Sequence, residues 1–92
     1  KGALLSMTLS ASKELGPHGI RVNAVAPGII DTELINHIND EKKVQFSKYI
    51  ALGRIGTADD VAKVVSFLCS DWSNYISGQI IGVDGDMTLP LR

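Results

Sequence analysis

The residues best suited to chemistry lie in a turn between an apolar run and a polar one, Pro27 to Thr32. Pro27 could end a strand without needing a ladder donor. Gly28 has no side chain, so a flat ligand could approach its backbone closely. The backbone of Ile29 and Ile30, the Thr32 hydroxyl and a following helix N-terminus would add donors and an acceptor. This set suits a neutral amide or a phosphate, although on the residues alone a plain connection is the commoner use of such a turn.

Polar residues elsewhere do not suggest a second site. His18 and His37 have no Cys or carboxylate near them at metal-ligand spacing, so no metal site is predicted. Asp59 and Asp60 are explained as negative charges at the start of a helix. Asn23 is unusual inside an apolar strand, and we expect it to make buried hydrogen bonds rather than to act in catalysis.

The elements that must position the turn are predicted from apolar periodicity and from stop signals. Gly16-Pro17 ends the first helix, and a capping box of Thr57 and Asp60 begins the last. Val61, Val64, Val65 and Leu68 are predicted to form a buried stripe on that helix. In chain order the predicted elements are a helix over 2–15, a strand over 20–26, two short helices within 33–52 separated near Asn39-Asp40, a helix from Thr57 to about Ser70, and a strand over 79–83.

The alternation of helices with apolar strands predicts the fold class. Such an order favours an α/β layer with parallel strands, and the continuous apolarity after Asn23 indicates burial on both faces. Two strands are too few to bury their own faces and to cover several helices. We therefore expect residues 1–92 to be the C-terminal portion of a single doubly wound, Rossmann-like domain, with two strands and flanking helices, incomplete by itself.

Composition and charge limit the classes of partner that the chain is expected to bind. The chain has 92 residues, of which 45% are hydrophobic and 21% charged, an ordinary composition for a globular protein. Its net charge of -1 gives no electrostatic reason to bind nucleic acid. No apolar run approaches the roughly 20 residues that span a bilayer, so no membrane partner is predicted. The single Cys69 fits a reducing, cytoplasmic location, and its apolar neighbours predict a buried structural thiol.

Three blocks of sequence resemble one known family. They are "KGALLSMTLSASKELGPHGIRVNAVAPGIIDTEL", "LGRIGTADDVAKVVSFLCSD" and "YISGQIIGVDGDM". Together they are similar to the C-terminal part of a short-chain dehydrogenase/reductase. The resemblance implies hydride transfer between NAD or NADP and a small carbonyl or alcohol substrate, in a homo-oligomer, dimer or tetramer.

The resemblance also implies roles for residues of this chain. Lys1 would close a Tyr-x-x-x-Lys motif, where its ammonium would lower the pKa of the tyrosine and hydrogen-bond the nicotinamide ribose. Pro27 and Gly28 would contact the nicotinamide end of the cofactor. The Ile30 backbone would pair with the carboxamide, and the Thr32 hydroxyl would contact the same end.

Other parts of the family pattern fall outside or depart from this sequence. The catalytic Tyr and Ser, an Asn and the glycine-rich phosphate loop would all precede Lys1, so the 92 residues by themselves are not expected to be active. Ala51 stands where many relatives have Pro, and Asp86 stands where they have the second Gly of "DGG". The alternative is a non-catalytic truncated fragment that acts as an oligomerisation or interaction module, and cofactor binding would discriminate between the two.

The segment 33–52 is predicted to form a substrate lid. It is weakly amphipathic and directly follows the cofactor turn, where a closing element would be useful. Its apolar residues would either line the substrate pocket or pack against the body of the domain; they are Ile35, Ile38, Phe46 and Tyr49.

Overall fold

A computed structural model describes residues 2–33 and 38–88. Within these residues, three α-helices and four short strands follow one another, with 3-10 turns at Gly16–His18 and Asp71–Ser73. In chain order the elements are α1 (Gly2–Leu15), β1 (Ala24–Pro27), β2 (Ile30–Asp31), α2 (Asp40–Ser47), β3 (Gly56–Thr57), α3 (Ala58–Leu68) and β4 (Ile80–Val83).

Helix bounds follow local signals. α1 has the predicted bounds, and Gly19 in the left-handed conformation (φ 77°) completes its stop. At the start of α3 the predicted capping box is present: the Thr57 hydroxyl accepts from the Asp60 N–H at 3.1 Å, and the Asp60 carboxylate accepts from the Thr57 N–H at 2.8 Å. α3 ends at Leu68, slightly before the predicted end.

The two predicted strands, β1 and β4, pair in parallel from Ala24↔Ile80 to Pro27↔Val83. β1 begins at Ala24, so the predicted start at Ile20 is wrong. The reason is that residues before Ala24 have no ladder partner among the described residues, since β4 begins only at Ile80. Pro27 lies inside β1, but in this register its nitrogen points away from β4, so its missing N–H costs no ladder bond.

A second parallel pair was not predicted. β2 and β3 align Ile30 with Gly56 and Asp31 with Thr57. Their contact is close, because a Cβ on Gly56 would lie 2.8 Å from Ile30 Cδ1. Strands of two residues are too short to produce a periodic signal in the sequence, and only their pairing reveals them.

The Arg21 side chain, from the segment between α1 and β1, contacts the C-terminal end of α3. The Arg21 guanidinium donates to the carbonyl oxygens of Leu68 (2.9 Å) and Ser70 (3.4 Å), which lie at the C-terminus of α3. It also reaches the Ser73 hydroxyl at 3.1 Å. A cation at this position is favourable because the helix dipole is negative there.

Asn23 has the hydrogen-bonding role that was predicted for it. Its amide nitrogen donates to the Ile76 carbonyl at 3.0 Å, and its amide oxygen accepts from the Gln79 N–H at 3.1 Å. The side chain is half-buried rather than fully buried. These two bonds hold the segment before β4 beside the segment before β1, where no strand ladder has yet begun.

Burial of apolar side chains is less complete than predicted. Among the described residues Ile50 is the buried hydrophobic one, at 5% exposure. The predicted stripe on α3 is only half-buried, and Val65 is 41% exposed. Cys69 is exposed, so its prediction as a buried thiol is wrong. The two-stranded sheet presents too little area to cover the whole apolar face of α3.

None of the described helices is long and apolar enough to cross a membrane.

Only the second of the two helices predicted within 33–52 can be assessed. It is α2, and Asn39 caps it by accepting from the Lys42 N–H at 2.8 Å. The first would fall largely on residues 34–37, which include Ile35 and lie outside the described residues. Ile38 and Phe46 are half-buried and Tyr49 is exposed.

Candidate cofactor-binding turn

The candidate site is the connection from β1 to β2, and Gly28 is its tightest point. The Gly28 N–H donates to the Val83 carbonyl at 3.0 Å, which extends the β1–β4 ladder by one bond. A Cβ at this position would lie 2.6 Å from Asp84 Cβ and 2.9 Å from Asp84 Cα. The glycine is therefore required by packing within the chain, a reason that the sequence could not reveal.

Ile30 presents its backbone away from β3. Gly56 is the ladder partner of Ile30, and the Gly56 N–H donates to the Ile29 carbonyl at 3.0 Å. In a parallel ladder, one residue bonds to the two residues that flank its partner, so the N–H and C=O of Ile30 itself point to the opposite edge. A donor and an acceptor side by side on that edge match the two hydrogen-bonding groups of a primary amide.

Thr32 and Asp31 complete the turn. Thr32 is half-buried directly after β2. Asp31 points a carboxylate oxygen at the Lys43 ammonium of α2, 3.5 Å away. Nothing in the local sequence indicates this contact between Lys43 and a residue 12 positions earlier.

A cavity of about 360 Å³ adjoins the turn. Its walls are mainly apolar and include Ile29, Ile30, Leu52 and Val83. On one side lies an ion pair, with Arg54 nitrogens 2.8 and 3.3 Å from the two Asp60 oxygens. Hydrogen bonding to the Arg54 guanidinium holds the pKa of Asp60 well below its usual range, with a further contribution from the Thr57 N–H. Asp60 thus caps α3 and also holds Arg54 in place. The capping role was predicted from the sequence, but the contact with Arg54 was not.

The turn after β4 tolerates the departure at Asp86. Gly85 and Asp86 both adopt left-handed backbone conformations, with φ of 62° and 63°. Aspartate is among the few residues that enter this region at modest cost. The turn is closed by the Asp84 carboxylate, which accepts from the Asp86 N–H at 3.0 Å.

Four of the five predicted site residues belong to this one turn, within which they are also neighbours in sequence: Pro27, Gly28, Ile30 and Thr32. Pro27 is exposed and the other three are half-buried. Lys1 lies outside the described residues. Within residues 2–33 and 38–88, no group of three or more His, Cys, Asp or Glu side chains could hold a metal ion.

The strand order and the position of the turn define the class of protein. β1 and β4 are parallel, α3 lies in the connection between them, and the turn leaves the carboxyl end of β1, where open doubly wound α/β sheets bind ligands. The family described as enoyl-(acyl carrier protein) reductase matches residues 1–88. The chain belongs to the short-chain dehydrogenase/reductase family.

Relatives of known name support the same assignment. The chain is 44% identical over 87 residues to a 3-oxoacyl-[acyl-carrier-protein] reductase of Chlamydia trachomatis, and 45% identical over 87 residues to that of Aquifex aeolicus. Each alignment covers 95% of this chain and 35% of the relative. The chain therefore spans about a third of the length of the curated relatives it matches.

A solved structure has the same fold. The crystal structure of a 3-oxoacyl-[acyl-carrier protein] reductase from Brucella melitensis superposes with a TM-score of 0.89 at 34% sequence identity. The superposition covers 96% of this chain and 33% of that chain. The predicted fold class, a portion of a doubly wound parallel sheet, is confirmed.

Proposed function

We propose that this chain is the nicotinamide-side part of an NAD- or NADP-dependent reductase that acts on a 3-oxoacyl group carried by acyl carrier protein. The observation that carries the proposal is the Pro27–Thr32 turn at the carboxyl end of β1, with the Ile30 backbone directed away from β3. The substrate is taken from the names of the relatives, which are 3-oxoacyl-[acyl-carrier-protein] reductases. The broader reaction is the interconversion of a carbonyl and an alcohol.

The residues of the turn fit one end of the cofactor. The Ile30 N–H and C=O would bind the carboxamide, and the Thr32 hydroxyl would add a hydrogen bond beside it. Gly28 allows the turn to lie close against Asp84, because a Cβ at this position would be only 2.6 Å from Asp84 Cβ. When bound, the nicotinamide supplies or accepts the hydride, and the chain's own residues orient it and exclude water.

Lys1 would control a proton rather than the hydride. In the family motif a tyrosine donates the proton to the carbonyl oxygen or removes it from the alcohol. The Lys1 ammonium would lower the pKa of that tyrosine, because a neighbouring positive charge stabilises the phenolate. This role rests on the resemblance and on the place of Lys1 in the sequence, directly before α1.

We also propose that α2 forms part of the cover over the substrate. It follows the cofactor turn in the chain, and the Lys43–Asp31 contact brings it beside β2. Half-buried Phe46 supplies an apolar surface. Such a cover would exclude water from the reaction and would open to release product.

The direct test is cofactor binding and turnover. The polypeptide is first defined by its intact mass under denaturing conditions. Calorimetric titration with NADH and NADPH is then followed by absorbance measurement of cofactor oxidation with a 3-oxoacyl thioester of acyl carrier protein. Binding of one cofactor and substrate-dependent oxidation are expected. A polypeptide that binds neither cofactor would contradict the proposal and favour the interaction module.

Replacing Thr32 by alanine is expected to weaken cofactor binding by about one hydrogen bond, roughly 0.5–1.5 kcal/mol. The loss should appear in the dissociation constant measured by titration. The Thr32→Ser variant keeps the hydroxyl and is the matched control, so it should bind the cofactor nearly as the parent does. Equal affinities for parent and alanine variant would remove Thr32 from the cofactor site.

The interaction-module alternative is supported by one observation. α1 exposes two large apolar side chains one helical turn apart on the same face, Leu5 at 46% and Leu9 at 42%. Exposed apolar residues clustered on one helix are typical of association surfaces. We propose that the protein self-associates through this helix, as family members do. Sedimentation of the parent and of a Leu5→Glu variant would test it, with a smaller assembly expected for the variant.

A further inference from the structure

We propose that the Asp31–Lys43 ion pair helps to position α2 over the cofactor turn and so raises the affinity for substrate. The proposal rests on the function proposed above, in which α2 covers the substrate. Asp31 and Lys43 are positioning residues: they act through the placement of α2 and not through contact with the reacting atoms.

α2 is firmly anchored at its C-terminal end. Directly after the helix, residues 49–52 run antiparallel to residues 85–88. The N–H groups of Ala51 and Leu52 donate to the carbonyls of Asp86 (3.0 Å) and Gly85 (3.1 Å), and the Thr88 N–H donates to the Tyr49 carbonyl (2.8 Å).

Packing strengthens the same anchor. Ile50 pairs with Met87 across the antiparallel segments and is 5% exposed. A Cβ on Gly85 would lie 2.7 Å from Ile50 Cγ2, so the two segments are in direct contact. Moving this end of α2 would break three backbone bonds and uncover the most deeply buried apolar side chain of the described residues.

Within the described residues, the contact between α2 and the cofactor turn is made from the middle of the helix, by Lys43. Its described connection to the cofactor turn is the single ion pair between Lys43 Nζ and Asp31 Oδ1, at 3.5 Å. The Lys43 side chain is 22% exposed and that of Asp31 is 47% exposed, so the lysine stem is partly covered while the pair still meets solvent. Among the described residues, three backbone bonds hold the segment that follows α2, whereas one partly exposed ion pair joins the helix to the cofactor turn.

This asymmetry suits a helix that rotates about its C-terminal anchor. A partly exposed ion pair contributes little, and salt weakens it, so it biases the helix toward the turn without preventing opening. Asp31 lies between Ile30 and Thr32, which are the proposed cofactor contacts. The state of the cofactor turn would therefore affect the position of α2 directly.

The first experiment measures amide hydrogen exchange of residues 40–47 in the protein that carries this chain, with and without salt. In Lys43→Gln, which keeps helix propensity, exchange at low salt should be about two- to five-fold faster than in the parent. At 0.5 M NaCl the parent should approach the variant. The double variant Asp31→Lys with Lys43→Glu restores an ion pair and should restore slow exchange.

The matched control is the Asp59–Lys63 pair on α3, at 3.0 Å and fully on the surface. Lys63→Gln should leave exchange over residues 40–47 unchanged. Equal exchange in the parent and Lys43→Gln, or an equal change in Lys63→Gln, would overturn the proposal.

The second experiment separates positioning from a merely structural role. In Lys43→Gln the KM for the acyl substrate should rise about two- to five-fold, with kcat unchanged or higher because opening is easier. The charge-reversed double variant should recover the parental KM. If the parent turns over substrate but the KM is unchanged in Lys43→Gln, the positioning role is overturned. If the parent lacks turnover, the proposed function is contradicted, and the exchange experiment remains as the test of the ion pair.

Discussion

Replacing Lys1 by alanine is expected to reduce kcat by about 10²- to 10⁴-fold, the usual contribution of general acid–base catalysis. Without the ammonium, the pKa of the motif tyrosine would return toward its ordinary value of about 10, so little phenolate would form at neutral pH. The ribose of the cofactor would also lose a hydrogen bond. Both losses act on the chemical step and on cofactor orientation.

Steady-state kinetics over a range of pH would measure the effect. The pH at which oxidation of the alcohol becomes half-maximal should move upward in Lys1→Ala, because the tyrosine then requires more alkaline solution to ionise. Lys13→Ala is the matched control, since Lys13 is exposed on the last turn of α1. Turnover near the parental value in Lys1→Ala, with unchanged thermal unfolding, would exclude the role assigned to this residue.

Replacing Gly28 by alanine is expected to destabilise the protein by about 1–3 kcal/mol, the usual cost of overpacking. The added methyl would overlap Asp84 Cβ and Cα, at 2.6 and 2.9 Å. Because Cα belongs to the backbone, the overlap cannot be relieved by a side-chain rotation. Either β1 or the turn after β4 must shift, and the bond from the Gly28 N–H to the Val83 carbonyl would lengthen.

Chemical denaturation would measure the loss of stability, and titration would measure the accompanying loss of cofactor affinity. Gly16→Ala is the matched control, because a Cβ there meets no atom within 4 Å and its backbone is not left-handed. It should be as stable as the parent or more so. If Gly28→Ala were equally stable, the close approach to Asp84 would not be a constraint on this turn.

Local features of the chain were predictable from the sequence. α1 could be placed from its apolar spacing and the Gly16-Pro17 stop, and the start of α3 from Thr57 and Asp60, because the groups that form these features lie within one helical turn of each other. The parallel pairing of β1 and β4 followed from the alternation of strands and helices. The family was also recognisable, since its motifs are contiguous in sequence.

Burial was overestimated for a physical reason. Apolar periodicity identifies the face of α3 that a sheet can cover, but not how much of that face the sheet reaches. The β1–β4 pair covers part of the stripe, which leaves Val65 and Cys69 exposed among the described residues. The length of β1 was overestimated for a related reason, because the residues from Ile20 to Asn23 have no strand opposite them among the described residues.

The sequence by itself therefore determined α1, the start of α3, the parallel pairing of β1 with β4, the family and the position of the Pro27–Thr32 turn. Only the tertiary structure decided that Gly28 packs on Asp84, that Ile30 pairs with Gly56, and that Lys43 meets Asp31. Each of these contacts joins residues from separate elements. Periodicity and capping depend on neighbours along the chain, whereas such contacts depend on how the crossover from β1 to β4 folds back, and no local pattern encodes that path.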